Sequence, residues 1–322
     1  MLKNRFIKWS LKIMSALISF CLIFVAIQPF FVPKYLGEST VIVKGYSLLK
    51  KNSIDVLFMG ASQTFYAVDA GKLTNEYNIS SYDFASTSQR ITITPYYLRE
   101  ALKTQNPKLA MIEVCHIFDS NESINTKMLS WNYSPTPPSL LKFQSVYSVL
   151  DGDVVKAFEY TYAPLLLYHD RWSSINDKRH GGEHDIDFVF HPEKYIDSTS
   201  RGYIAHDRIE KRDMVFEKSD NSLKNIPAEN INAIRMIKEI CLENNMELVF
   251  FKVPASNWTR GESMSVKKFM NENELKFVDL NDQLKEIGIN GETDFFDKKH
   301  LNDSGAEKTT DYLAKMIPQY LH

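Results

Sequence analysis

Between Ser53 and Ile317 short apolar blocks alternate with helix-like stretches. Ile54–Met59 reads as a buried strand, Val68–Tyr77 as a helix, Tyr82–Ala85 as a short strand and Ile91–Thr104 as a helix. Lys108–Cys115, after a turn at Asn106-Pro107, is a third strand. The alternation resumes with a helix over Pro227–Asn244 and a strand Glu247–Val253 stopped by Pro254. A helix near Ser265–Asn273, a strand Lys276–Leu280 and a last helix Ser304–Ile317 complete it. Ser304-x-x-Glu307 has capping-box spacing at the start of that helix. Near-continuous apolar strands separated by helices predict α/β architecture, a parallel sheet covered on both faces. Glu38–Leu49 reads as a short connector with some strand character.

Two stretches break the rhythm. Lys3, Arg5, Lys8 and Lys12 precede an uncharged run from Ile13 to Pro33, and Lys34 follows it. A helix of about 20 apolar residues matches the hydrocarbon thickness of a bilayer. The flanking charge predicts a cytoplasmic N-terminus and an extracytoplasmic bulk. The run ends Ile27-Gln-Pro-Phe-Phe-Val-Pro33 without a small-x-small cleavage site, so an uncleaved anchor is expected. The second stretch, residues 116–228, contains Ser134-Pro-Thr-Pro-Pro138 and helical segments at Leu140–Leu150 and Val154–Tyr162. It is expected as an insertion after the third strand, over the carboxyl edge of the sheet, where open α/β sheets bind ligands. The expected organisation is thus residues 1–36 as cytoplasmic stub and anchor, 37–115 and 229–322 as the two parts of the α/β domain, and 116–228 as the insertion.

Composition changes little in this picture. The 322 residues can bury one substantial core, and 44% hydrophobic with 24% charged residues is ordinary for a globular protein. A net charge of -2 gives no electrostatic footprint for nucleic acid. Cys21 lies in the apolar run; Cys115 and Cys241 sit in or beside apolar segments, and buried free thiols are expected there over a bridge between them.

The candidate chemistry lies at the two ends of the alternation. Ser62 follows the first strand in Gly60-Ala61-Ser62, where amides of the next helix can face an oxyanion. A plain N-cap serine fits the same position. Asp297-x-x-His300 precedes the last helix. At that spacing the carboxylate can accept the imidazole Nδ1 proton, leaving Nε2 to take a serine hydroxyl proton. Serine, then Asp and His, supply a nucleophile, a base and the group that orients the base.

Gly60-Ala-Ser62 after the first strand, with Asp297-x-x-His300-Leu-Asn-x-x-Gly305-Ala before the last helix, resembles the first and fifth blocks of the SGNH (GDSL-like) hydrolase superfamily. The resemblance spans roughly residues 53–115 and 229–320. It is closest to the membrane-anchored, extracytoplasmic branch that includes polysaccharide O-acetylation proteins and the D-alanyl transfer protein of teichoic acid synthesis. It implies a flavodoxin-like three-layer sandwich and a Ser62–His300–Asp297 triad. It also implies acyl-ester chemistry without metal or diffusible cofactor, an envelope glycopolymer as substrate, and a membrane-bound O-acyltransferase as partner. A hydrolytic carbohydrate esterase and an inactive glycan-binding or assembly protein are the alternatives. The superfamily completes its oxyanion hole with a Gly after the second strand and an Asn after the third. Here those loops read Ala85-Ser-Thr-Ser-Gln89-Arg90 and Glu113-Val-Cys-His116-Ile-Phe-Asp119, without either. Backbone amides of Ser86–Ser88, or the Gln89 side chain, are the candidate second donors.

Three further constellations have weaker claims. Tyr168-His169-Asp-Arg171-Trp172 combines groups that bind carbohydrate, yet the same cluster could pin the insertion to the core through an Arg–carboxylate pair. Val253-Pro-Ala-Ser-Asn257-Trp258 follows a strand and should line the carboxyl edge; Asn257 or Trp258 could touch substrate, or form a plain loop. His180-Gly-Gly-Glu183-His184 matches a zinc signature in letters only, since two glycines disfavour the helix it needs; a polar surface loop is expected.

Overall fold

The computed structural model describes residues 2–169, 182–216, 219 and 221–321. The chain forms two compact units, one of Met1–Tyr35 with Pro137–Phe190, the other of Leu36–Thr136 with His191–His322. The described residues of 116–136 and 191–228, read above as parts of one insertion, therefore belong to the unit of the sheet, and those described between them belong to the unit of the N-terminal helix.

The larger unit holds a five-stranded, all-parallel sheet: β1 (Val56–Met59), β2 (Ser81–Asp83), β3 (Leu109–Glu113), β4 (Glu247–Lys252) and β5 (Lys276–Asp279), in the order β2-β1-β3-β4-β5. Strand residues alternate between the faces. Val56, Phe58, Leu109, Met111, Val249 and Phe251 pack toward the helix Asp303–Met316 through Leu313, Ala314 and the adjoining Ile317. The alternate residues Leu57, Met59, Ala110, Ile112 and Phe250 are equally buried. Both faces are covered, which is why the strands read as near-continuous apolar runs. The chain reverses its direction of winding between β1 and β3, and the crevice at the carboxyl ends of those strands is where such sheets bind ligands.

Several elements depart from expectation. Glu38–Ser47 is a helix, although Val41-Ile42-Val43 reads as strand. Its buried positions Ser39, Ile42, Val43 and Tyr46 follow helical spacing, and the Tyr46 hydroxyl donates to Ala101 O at 3.1 Å. The cap of the last helix is Asn302, whose side chain accepts from Gly305 N at 3.2 Å, and Ser304 instead donates to Asp294 at 3.0 Å. A capping box does form at Thr259 and Glu262, starting the helix Arg260–Glu272 ahead of the expected Ser265. Cys115 and Cys241 are free thiols.

In the smaller unit the helix Leu2–Phe31 includes Ile7–Gln28, a stretch long and apolar enough to cross a membrane. Leu140–Val149, Val154–Tyr162 and Pro164–Leu167 are helices, and so is Gly182–Phe190, where a polar loop was expected. His180 lies outside the described residues, and among those described no cluster of three or more His, Cys, Asp or Glu suits a metal ion.

Candidate functional site

The site is built at the β1/β3 crevice. β1 ends at Met59, and the next residue, Gly60, adopts φ +146; a Cβ there would lie 2.6 Å from Thr64 Oγ1 and 2.9 Å from Glu113 Cβ. Only glycine fits that turn. The helix Ser62–Ala67 begins immediately after it, so Ser62 stands on a rigid corner with its own amide and that of Gln63 free of helical partners.

From the other end of the chain, an isolated bridge between Phe295 and Leu301 and the bond from Phe296 N to His300 O (3.2 Å) close a tight loop. The loop is seated by the buried Asp294, which pairs with Lys308 at 2.7 Å. This brings His300 Nε2 to 2.7 Å from Ser62 Oγ, across 238 positions of sequence. Asp297 holds the opposite edge of the ring, with His300 Nδ1 2.8 Å from Oδ2 and 3.0 Å from Oδ1. With Nδ1–H donating to the carboxylate, Nε2 is left to accept from the serine hydroxyl. The amides of Lys299 and His300 also donate to Asp297 Oδ1, at 2.8 and 3.0 Å. Partial burial pushes the Asp297 carboxyl up, but the His300 bond and these amides outweigh it and hold its pKa at about 2. Tyr66 and Phe296 pack on the imidazole, with ring centroids 5.2 and 5.4 Å away.

Ser62 and His300 line a cavity of about 250 Å³ together with Ser88, His116, Asp119, Lys252, Asn257 and Trp258. Lys252, which lines it, is held in a buried ion pair, Nζ to Glu113 Oε1 at 2.8 Å. The same ammonium donates to Gln63 Oε1 and lies 5.3 Å from the centre of the Trp258 ring. Trp258 is fixed by a 3.0 Å bond from Nε1 to Asp279.

The wall after β3 carries a second charged cluster that sequence reading passed over. His116 Nδ1 lies 2.6 Å from Asp119 Oδ2, and Arg90 Nη1 donates to the same oxygen at 2.5 Å. Arg90 Nη2 donates to Ser123 Oγ at 2.8 Å. Burial pushes the His116 imidazole below its ordinary value, opposed by the Asp119 bond and reinforced by the Arg90 guanidinium. The bond from His116 holds the Asp119 carboxyl low against its own burial, and Arg90 lowers it further. His116 Nδ1 also lies 2.7 Å from Arg90 Nη1; in the tautomer that keeps Nδ1–H on the ionised Asp119, Nε2 is a hydrogen-bond acceptor. The signal in the sequence was His116-x-x-Asp119, the mirror of Asp297-x-x-His300.

The other candidates divide. Ser88 lines the cavity at φ +54, a conformation glycine favours, and its amide has no partner among the described residues. The amides of Ser86 and Thr87 are taken by Gly60 O (3.2 Å) and Ser39 Oγ (2.9 Å). Gln89 is 2% exposed, is not among the residues that line the cavity, and donates from Nε2 to Thr94 Oγ1 at 3.1 Å. Asn257 stands exposed at the mouth. Arg171 and Trp172 lie outside the described residues. Set beside known proteins, the chain matches no family model and no curated sequence.

Proposed function

We propose that this protein is a membrane-anchored, extracytoplasmic serine O-acyltransferase of the SGNH type, with an envelope polysaccharide or teichoic acid as acceptor. The observation that carries the reading is the continuous Ser62–His300–Asp297 hydrogen-bonded chain at a sheet crevice. Ser62 Oγ attacks the carbonyl carbon of a donor ester as its proton passes to His300 Nε2. Asp297, ionised at any physiological pH, steadies the imidazolium. The tetrahedral oxyanion is received by the Ser62 amide and, as second donor after the second strand, by the Ser88 amide. The donor alkoxide leaves with the proton from His300. An acceptor hydroxyl then attacks the acyl-serine, giving its proton to His300; the Ser62 ester bond breaks and Ser62 recovers a proton.

His116 Nε2 and Asn257 are the groups to which a sugar or polyol acceptor would hydrogen-bond. The span Ile7–Gln28, with basic residues before it, supports a cytoplasmic N-terminus. Donor delivery by a membrane-bound O-acyltransferase rests on family resemblance alone.

Mass mapping after exposure of the full chain to an activated acetyl ester tests the reading. Acetyl should appear on Ser62 and pass to an added polyol. Acetyl that never reaches Ser62 overturns it, and release indifferent to the polyol makes the protein a hydrolytic esterase.

A further inference from the structure

The smaller unit leaves large apolar side chains uncovered in a pattern. On the helix Val154–Tyr162 the buried positions are Ala157, Tyr160 and Thr161. On another side Val154, Val155, Phe158 and Tyr162 are exposed, Val155 by 66% and Phe158 by 48%. At 100° per residue these four fill one continuous arc of about 100°. Lys156, paired with Glu159 at 2.9 Å, lies off that arc. Leu166 on the next helix is exposed as well, and Val189 and Phe190 end the helix Gly182–Phe190 uncovered, Phe190 by 73%.

Both groups are tied to one place, the end of the apolar span. Leu165 N donates to Gln28 Oε1 at 2.7 Å, and Gln28 is the last residue of the span. Asp185 Oδ1 accepts from the amides of Lys34 and Tyr35, at 2.9 Å each, just past the end of that helix. Tyr35 packs on Phe188, with ring centroids 5.7 Å apart. The uncovered apolar arcs therefore stand at the level where the chain leaves the hydrocarbon. Tyr162, with an apolar body and a polar tip, is the residue type enriched at that level.

We infer that the helix Val154–Tyr162, with Leu166 and Phe190, lies in the outer leaflet of the bilayer as an interfacial mount. The span and these short helices would then grip one membrane, the arc sunk into the boundary between headgroups and acyl chains. The occupant is lipid, and the inference rests on the reading of Ile7–Gln28 as a membrane span.

The test uses the full chain reconstituted in phosphatidylcholine–phosphatidylglycerol vesicles. A carbene-generating photolabel dissolved in the bilayer is activated and the labelled peptides are mapped. The expected result is labelling of 7–28 and, within about threefold per residue, of 154–166, with Phe158→Glu and Val155→Glu each lowering the latter at least about fivefold. Label in 7–28 without label in 154–166 overturns the inference and spares the span. No label in 7–28 removes the span itself, and the inference with it. Labelling of 154–166 in pure lipid that is lost in native membranes identifies a protein as the occupant, which also overturns it.

Discussion

Replacing Lys252 with methionine should destabilise the protein more than any surface change, because it strands a buried charge. The Lys252 and Glu113 side chains are 1% and 0% exposed and 2.8 Å apart. At an effective dielectric of about 20 their attraction is on the order of 6 kcal/mol, much of it offset by desolvation. Methionine keeps the packing volume but leaves Glu113 without a counter-charge, held by Cys115 alone through its amide, which donates to Oε2 at 2.8 Å, and its thiol. Breaking such a pair costs about 3–5 kcal/mol. In Lys252→Met/Glu113→Gln no charge is stranded and the amide keeps its acceptor, so the double variant should recover about 2 kcal/mol or more relative to Lys252→Met. The assay is urea unfolding of the detergent-solubilised chain followed by circular dichroism. A single-variant loss below about 1 kcal/mol, or a double variant as unstable as the single, would refute the reasoning.

Four other outcomes follow from the same geometry. Gly60→Ala forces a Cβ against Thr64 and Glu113 at positive φ, and thermal unfolding should register a loss of about 2–4 kcal/mol. Asp297→Asn should slow acylation of Ser62 by roughly 10²–10⁴-fold with the circular dichroism spectrum intact, and an unchanged rate would remove Asp297 from the site. Because the Asp297 pKa is depressed, its contribution to stability is complete above the ordinary carboxylate pKa and is lost as pH falls through about 2. With the side chain 41% exposed this amounts to on the order of 1 kcal/mol, readable from urea midpoints across that range. Asp83 has the opposite sign: fully buried, with both carboxyl oxygens unpartnered, its pKa is raised well above 3.8 by burial and by Asp69. The unfolded chain ionises first as pH rises, so Asp83→Asn should raise the urea midpoint at neutral pH, and the gain should vanish as pH falls below the ordinary carboxylate range.

What could be read from the sequence was whatever local pattern determines. β1, β3 and β4 fall within two residues of their apolar runs, because strands buried on both faces must be apolar throughout. Ser62, Asp297 and His300 were legible as a set because each sits at an element boundary with characteristic spacing. The helix Glu38–Ser47 was not, since its β-branched Val41-Ile42-Val43 favours strand and only tertiary burial of one face decides for helix. Ser304-x-x-Glu307 misled for a related reason: the seat prepared by Asp294 draws Ser304 away, and Asn302 two residues earlier caps the helix. The Arg90–His116–Asp119 cluster joins loops after two different strands, and no single window of sequence contains it.

The central claim is that a hydroxyl at the start of one helix is activated by an imidazole that arrives from the far end of the chain. A fluorophosphonate probe reads this in one step, with the full chain in detergent at neutral pH. Stoichiometric modification mapped to Ser62, absent in Ser62→Ala and strongly slowed in His300→Ala, is the predicted result. A folded protein that stays unmodified, or whose Ser62 reacts equally fast without His300, would contradict it.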